Sequence, residues 1–291
     1  MRRAGLLSLP SLSVVVNTYN WPEALDVVLR AFADQTDPAF EIVIADDGSS
    51  SRTADIVNRW LSAFGDRLVH VRHADEGYRR ARILNLAALK ASGDCLAFMD
   101  GDCIPRAGFV ASVRRAALAG WFLSTKRLGL SKSFSGRVLR GELPIWRWST
   151  AAWMIRAPRV ARRPGYFISL RDRRRPWRPD QADFSVPAGF FCGVLRGDFE
   201  RVGGWDVRFE GWGCEDIDFF VRLQRIGLRC GFPGPGATLL HLWHEKAWNP
   251  EDERLVANEQ MLFETQASDR IEAIAGLREL RSEFTDHQAS A

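Results

Sequence analysis

The sequence predicts an α/β fold: a mixed, mostly parallel sheet flanked by helices. Two observations carry this expectation. Apolar strand-like runs alternate with helix-period segments through the first hundred residues, in the order βαβαβαβ. Polar and acidic residues also collect where such strands end, at Thr18 to Asn20, Asp46 to Ser49 and Asp100 to Asp102. Parallel sheets bind ligands outside the carboxyl ends of their strands, so these clusters mark the expected site.

The elements follow in order. LSVVVNTYN reads as a buried strand ending in polar residues, and Pro22 marks the helix start ahead of EALDVVLRAFADQ. FEIVIADDGSS is a second strand ending in acids, followed by the helix SRTADIVNRWLSAFG. RLVHVRH is a third strand, ARILNLAALKASG a third helix stopped by Gly93, and DCLAFMDGDCIP a fourth strand. Periodicity weakens from about Trp121 to Val186, which predicts a long functional loop or insertion. Order returns with FFCGVLRGDFERVGG, a helix at Phe219 to Ile226 and the strand-like ATLLHLWH. The tail from Glu251 to Ala291 is largely helical and charged, with its last residues expected to fray, and no internal repeat is present.

Bulk properties narrow the function classes. A chain of 291 residues, 46% hydrophobic and 26% charged, suits a globular domain with a sizeable core. The net charge of +4 does not by itself imply nucleic acid. Five cysteines, an odd number without a CxxC pair, argue against a disulfide framework or zinc cluster and fit a reducing compartment. Serines and Pro10 interrupt the N-terminal apolar stretch, which reads as a strand rather than a signal segment. No apolar run reaches membrane-spanning length, so a cytoplasmic location is expected. There is neither a GxGxxG after the first strand nor a GxxxxGK[ST], which argues against a dinucleotide Rossmann enzyme and a P-loop NTPase.

Three clusters carry chemistry. In FEGWGCEDIDFF, Glu215, Asp216 and Asp218 precede an apolar helical pattern, where helix N–H groups favour negative charge. They read either as simple helix caps or, beside the turn Gly211-Trp212-Gly213, as carboxylates that take a proton from a bound polar ring. In FMDGDCIP, Asp100 and Asp102 flank a glycine on one side of an extended segment, either as a solvated turn or as a grip on a divalent cation holding phosphate oxygens. In LLHLWHEK, His241 and His244 are either ordinary side chains or imidazole ligands for a manganese-type ion.

Together these runs resemble nucleotide-sugar glycosyltransferases of the GT-A fold. VVVNTYN, IVIADDGSS, RRARILNLA and FMDGDCIP are similar to family 2, over residues 12–105. GGWDVRFEGWGCEDIDFFVRL and HLWHEK, within 189–250, resemble the C-terminal galactosyltransferase module of β-1,4-galactosyltransferases and chondroitin-polymerase-type enzymes. The resemblance divides a single domain into a nucleotide-sugar-binding half (1–120), an Arg/Trp-rich insertion (121–186), an acceptor-binding and catalytic half (187–250) and a helical tail (251–291). It implies a UDP-sugar donor contacted by Thr18, Asp46, Asp47, Arg80, Arg82, Asn85 and Asp100. It also implies Mn2+ or Mg2+ held by Asp102, His244 and His241, with Asp102 the direct carboxylate ligand. Asp216 takes the role of catalytic base, Glu215 orients sugar hydroxyls, and Trp212 with Gly213 forms the platform under a sugar face. The chain departs from the family pattern at Asn17, where proline is frequent, and at Cys214, where glycine is frequent.

The expected reaction is inverting transfer of a hexose or N-acetylhexosamine to a saccharide or lipid-linked saccharide. The alternatives are a sugar nucleotidyltransferase, which typically has a glycine-rich loop absent here, and an inactive sugar-binding relative. Between Arg156 and Arg178, nine arginines face one acid, Asp172, and tryptophans are interleaved nearby. This segment fits peripheral contact with an anionic membrane face or a lipid-linked acceptor, an acidic saccharide, or a solvated basic loop with tryptophans on the core. Nucleic acid is the least favoured partner.

Overall fold

The structure is a computed structural model that describes residues 9–161, 189–245 and 252–282. The predicted first half is present. β1 (Leu12–Thr18), β2 (Phe40–Asp46), β3 (Leu68–Arg72) and β4 (Cys95–Asp100) alternate with α1 (Pro22–Ala33), α2 (Ser51–Phe64) and α3 (Arg80–Lys90). β1 lies between β2 and β4, and β2 pairs with β3, all parallel. Strand period explains the layering. Val14 and Val16 enter the core beneath α1, whereas Val15 packs on the opposite face with Ile83, Leu84 and Ala87 of α3.

Short elements complete the molecule. They are β5 (Cys103–Pro105), α4 (Phe109–Ala116), β6 (Trp121–Leu123), β7 (Arg127–Gly129), α5 (Lys132–Leu139) and α6 (Thr150–Val160). After them come β8 (Phe191–Leu195), α7 (Arg196–Arg201), α8 (Glu215–Arg225), β9 (Arg229–Gly231), β10 (Leu239–His241) and α9 (Glu253–Ala267). The main sheet has the order β3-β2-β1-β4-β8-β6-β9, in which β8 runs antiparallel to β4 and β6. A second sheet, β5-β10-β7, sits where β4 ends.

The weakly periodic segment from Trp121 is more ordered than the sequence implies, since β6, β7, α5 and α6 all fall within it. Its described tryptophans serve the core: Trp146 and Trp153 are buried, and Trp146 Nε1 donates to Asp34 at 2.5 Å. Arg147 also binds Asp34, and Arg156 stacks over Trp148. The remainder of the arginine-rich run, residues 162–188, lies outside the described residues. Among the described residues, no helix is long and apolar enough to cross a membrane.

α9 and the segment after it are an integral layer. Asp218 and Arg222 form a wholly buried pair at 2.7 Å. Arg222 also donates to the carbonyls of Val202 and Gly204, and the Thr265 hydroxyl of α9 donates to Asp218 at 2.7 Å. Asp218 is thus the third acid of its cluster in sequence only: its carboxylate ties α8 to α9, away from the cleft.

Candidate active site

The carboxyl ends of β1, β2 and β4 form the floor of the site. The Gly101 N–H donates to the Asn17 carbonyl at 2.7 Å, drawing the turn after β4 against the end of β1. Asp46 is fully buried at the end of β2 and accepts from the Ser49 N–H at 2.7 Å. His70 Nε2 lies 2.9 Å from its other oxygen. Burial alone would raise Asp46, but the His70 ring and Ser49 hold its pKa below the ordinary value. Asp47 accepts from the Arg79 N–H at 3.0 Å and meets His73 at 2.6 Å. Neither histidine is marked by a local motif, and both come from β3 or just beyond it; an acid-histidine pattern across neighbouring strand ends is the only sequence signal.

Arg80 sits at the first position of α3, almost wholly buried, and joins the two halves of the cleft. One guanidinium nitrogen donates to Glu215 at 3.3 Å; the other donates to Asp100 at 3.2 Å and to the Gly189 carbonyl at 2.9 Å. Desolvation opposes its charge, but Asp100, Glu215 and Asp216 outweigh it and hold Arg80 protonated. Asn85 does not reach the open cleft. Its amide donates to the Trp205 carbonyl at 2.7 Å and accepts the Trp205 N–H at 2.9 Å, fixing the loop behind Arg80. Thr18 is buried beside Gly101, and Arg82 is half-buried on α3.

Glu215 and Asp216 open α8 after a run of left-handed backbone at Gly211, Gly213 and Cys214, with φ of 76°, 104° and 76°. This turn aims the helix N-terminus at the cleft and leaves Trp212 half-exposed beside it. The Asp216 carboxylate accepts the Ile217 N–H at 2.8 Å. Gly189 lies against it so closely that a methyl group there would collide with the carboxylate. Desolvation raises both acids above their ordinary values against the pull of Arg80. One Glu215 oxygen, Oε2, is buried without a hydrogen-bond partner among the described residues.

Opposite stands the metal-type cluster. Asp102 Oδ2 lies 3.3 Å from His241 Nε2 and 3.2 Å from His244 Nε2, and the two ring nitrogens are 3.3 Å apart. The small sheet sets this convergence, because β10 pairs with β5 so that His241 faces Cys103. His244 Nδ1 lies 2.8 Å from the Glu245 carbonyl, an acceptor, so Nδ1 carries a proton and Nε2 is the ring nitrogen turned towards Asp102. Three electron-rich atoms at about 3.3 Å match cis ligands on an ion with bonds of about 2.1 Å. The side chains present therefore fit Mn2+ or Mg2+. Hydrogen bonding to both imidazoles holds the Asp102 carboxylate well below the ordinary range despite desolvation.

Comparisons with known proteins agree with this architecture. Residues 13–124 match the family model "Glycosyl transferase family 2", and residues 187–245 match "N-terminal domain of galactosyltransferase". Validoxylamine A glucosyltransferase of Streptomyces hygroscopicus subsp. jinggangensis is 34% identical over 75% of this chain and 52% of its own length. Chondroitin synthase of Escherichia coli is 27% identical over 76% of this chain and 33% of its own length. The chain thus spans about half of the first relative and a third of the second. A mannosyltransferase from Pyrobaculum calidifontis, in complex with GDP-Man and Mn2+, shares the fold with a TM-score of 0.58 at 18% identity, over 89% of this chain and 65% of that one. GalNAc-T7 with UDP, GalNAc and Mn2+ does so with a TM-score of 0.61 at 16% identity, over 97% and 55%. Residues 13–124 thus resemble glycosyltransferase family 2 and residues 187–245 a galactosyltransferase module, on the GT-A fold shared with both solved structures.

Proposed function

We propose that the cleft catalyses inverting transfer of a hexose or N-acetylhexosamine from a UDP-sugar to a hydroxyl of a saccharide or lipid-linked saccharide. The observation that carries this reading is the two-sided site. Glu215 and Asp216 stand on one wall, Asp102, His241 and His244 on the other, and Arg80 links Glu215 to Asp100. Asp46, Asp47 and Thr18 at the strand ends would receive the nucleoside, as the polar ends of parallel strands do in such folds.

Mn2+ or Mg2+ held by Asp102, His241 and His244 would supply Lewis-acid stabilisation of the departing diphosphate. The chain's own residues do the rest. Asp216 accepts the proton of the acceptor hydroxyl as that oxygen attacks the anomeric carbon from the face opposite the diphosphate. A positioned base contributes roughly a hundred- to ten-thousand-fold to such a step. Glu215, with one oxygen left by Arg80, holds an acceptor hydroxyl, and Trp212 offers its half-exposed ring to a sugar face. The test is Asp216→Asn, assayed for release of UDP from a panel of UDP-sugars with saccharide acceptors. Loss of transfer with UDP binding retained supports the assignment; wild-type turnover overturns it.

A further inference from the structure

Arg80 is engaged by Glu215, Asp100 and the Gly189 carbonyl, so its charge is already shared between two carboxylates of the protein itself. A second arginine lies on the other side of the same strand end. Arg127, on β7, is half-buried with its guanidinium carbon 4.5 Å from the centroid of the Phe190 ring. Phe190 is the residue whose carbonyl accepts the Asp100 N–H at 3.1 Å. The register of the small sheet fixes the direction of the side chain. Arg127 faces Leu239, Gly129 faces His241, and His241 faces Cys103, so Arg127 shares a sheet face with His241. Leu128, Leu240 and Ile104 take the other face and enter the core. Arg127's positive charge reaches Asp100, Cys103 and His244, where it opposes the rise of each pKa. Among the described residues no carboxylate lies within ion-pair distance of it.

We propose that Arg127 binds the diphosphate of the donor and stabilises it as it leaves. The proposal rests on the glycosyltransferase reading of the same cleft and adds to it a residue outside both family-matched segments. A guanidinium stacked on an aromatic ring is held in orientation yet keeps its N–H edge for an anion. The donor diphosphate is a dianion that gains a further negative charge as it leaves, beside the Asp100 and Asp102 carboxylates, and a cation at its side stabilises that charge. Arg127 is placed to provide that cation.

The experiment compares wild type, Arg127→Ala and Arg127→Lys in their binding of UDP and of uridine, each with Mn2+, by calorimetry and ligand-observed NMR. Arg127→Ala is expected to weaken UDP by about tenfold or more while leaving uridine unchanged, because a charged hydrogen bond to phosphate is lost and the nucleoside contacts are not. Arg127→Lys is expected to recover part of the loss. UDP binding equal to wild type in Arg127→Ala overturns the proposal, and so does an equal loss of UDP and uridine. Failure of the wild type to bind UDP overturns the UDP-sugar reading of the cleft along with it. Failure confined to the Arg127 comparison leaves that reading standing.

Discussion

Arg80 and Glu215 lie 135 positions apart and meet as an almost wholly buried ion pair at 3.3 Å. The same guanidinium holds Asp100 and the Gly189 carbonyl, so one side chain sets the spacing between the two walls of the cleft. Removing one partner of a buried pair leaves uncompensated charge and costs about 3–5 kcal/mol. Arg80→Ala is therefore expected to lower stability by that order in urea unfolding and to abolish sugar transfer. Arg80→Lys is expected to remain inactive, since an ammonium lacks the planar fork that spans both carboxylates.

The raised pKa values of Glu215 and Asp216 give stability a definite pH dependence. The folded state holds their protons more tightly than the unfolded state does. Their favourable contribution is full below the unfolded carboxylate pKa and is lost as pH rises through the raised folded value. Thermal melts of the metal-free protein should show stability falling from about pH 4 towards neutrality, with a shallower fall in Glu215→Gln. Transfer should rise over the same interval, because Asp216 must be ionised to accept a proton. A flat melting profile shared by wild type and variant would contradict the assignment.

Cys214 occupies a left-handed backbone position with φ of 76°, where a β-carbon costs about 1–2 kcal/mol. Cys214→Gly is expected to raise the unfolding free energy measured in urea by about 1 kcal/mol, with transfer retained. The backbone angle supplies a physical reason for the glycine that the family resemblance implies at this position.

Mn2+ titrated into the protein should raise the melting temperature in proportion to the logarithm of its concentration above Kd. Asp102→Ala removes the carboxylate shared by both histidines, and its melting temperature should not respond. An unchanged response in the variant would place the ion elsewhere.

Asn258 of α9 donates its amide to the carbonyls of Glu210 and Gly213, each at 3.0 Å, and so brackets Trp212. Asn258→Ala leaves both carbonyls unsatisfied and should cost about 2 kcal/mol in urea unfolding. Hydrogen exchange should quicken across residues 211–216 and remain unchanged in β1 and β2.

The first half of the molecule was legible because its strands are apolar, its helices are long enough to show a period, and its contacts are local. The stretch from Trp121 to Val186 was not. β6 and β7 have three residues each, too few for alternation to register. The acidic pairs at Asp100/Asp102 and Glu215/Asp216 announced themselves as motifs, whereas His70, His73 and Gly189 reach the site only through strand pairing and chain return. Asn85 shows the opposite error. It lies in a family-like run, yet its helix face turns it towards Trp205.

The small sheet also bears on how the molecule assembles. Its three strands come from residues 103–105, 127–129 and 239–241, so pairing β10 with β5 closes a loop of well over one hundred residues. Such a closure costs chain entropy before any contact compensates it. The first four strands, built from neighbouring βα units, close by short loops. The convergence of Asp102, His241 and His244 depends on the long one, so on chain entropy the first four strands are expected to pair before those three side chains meet.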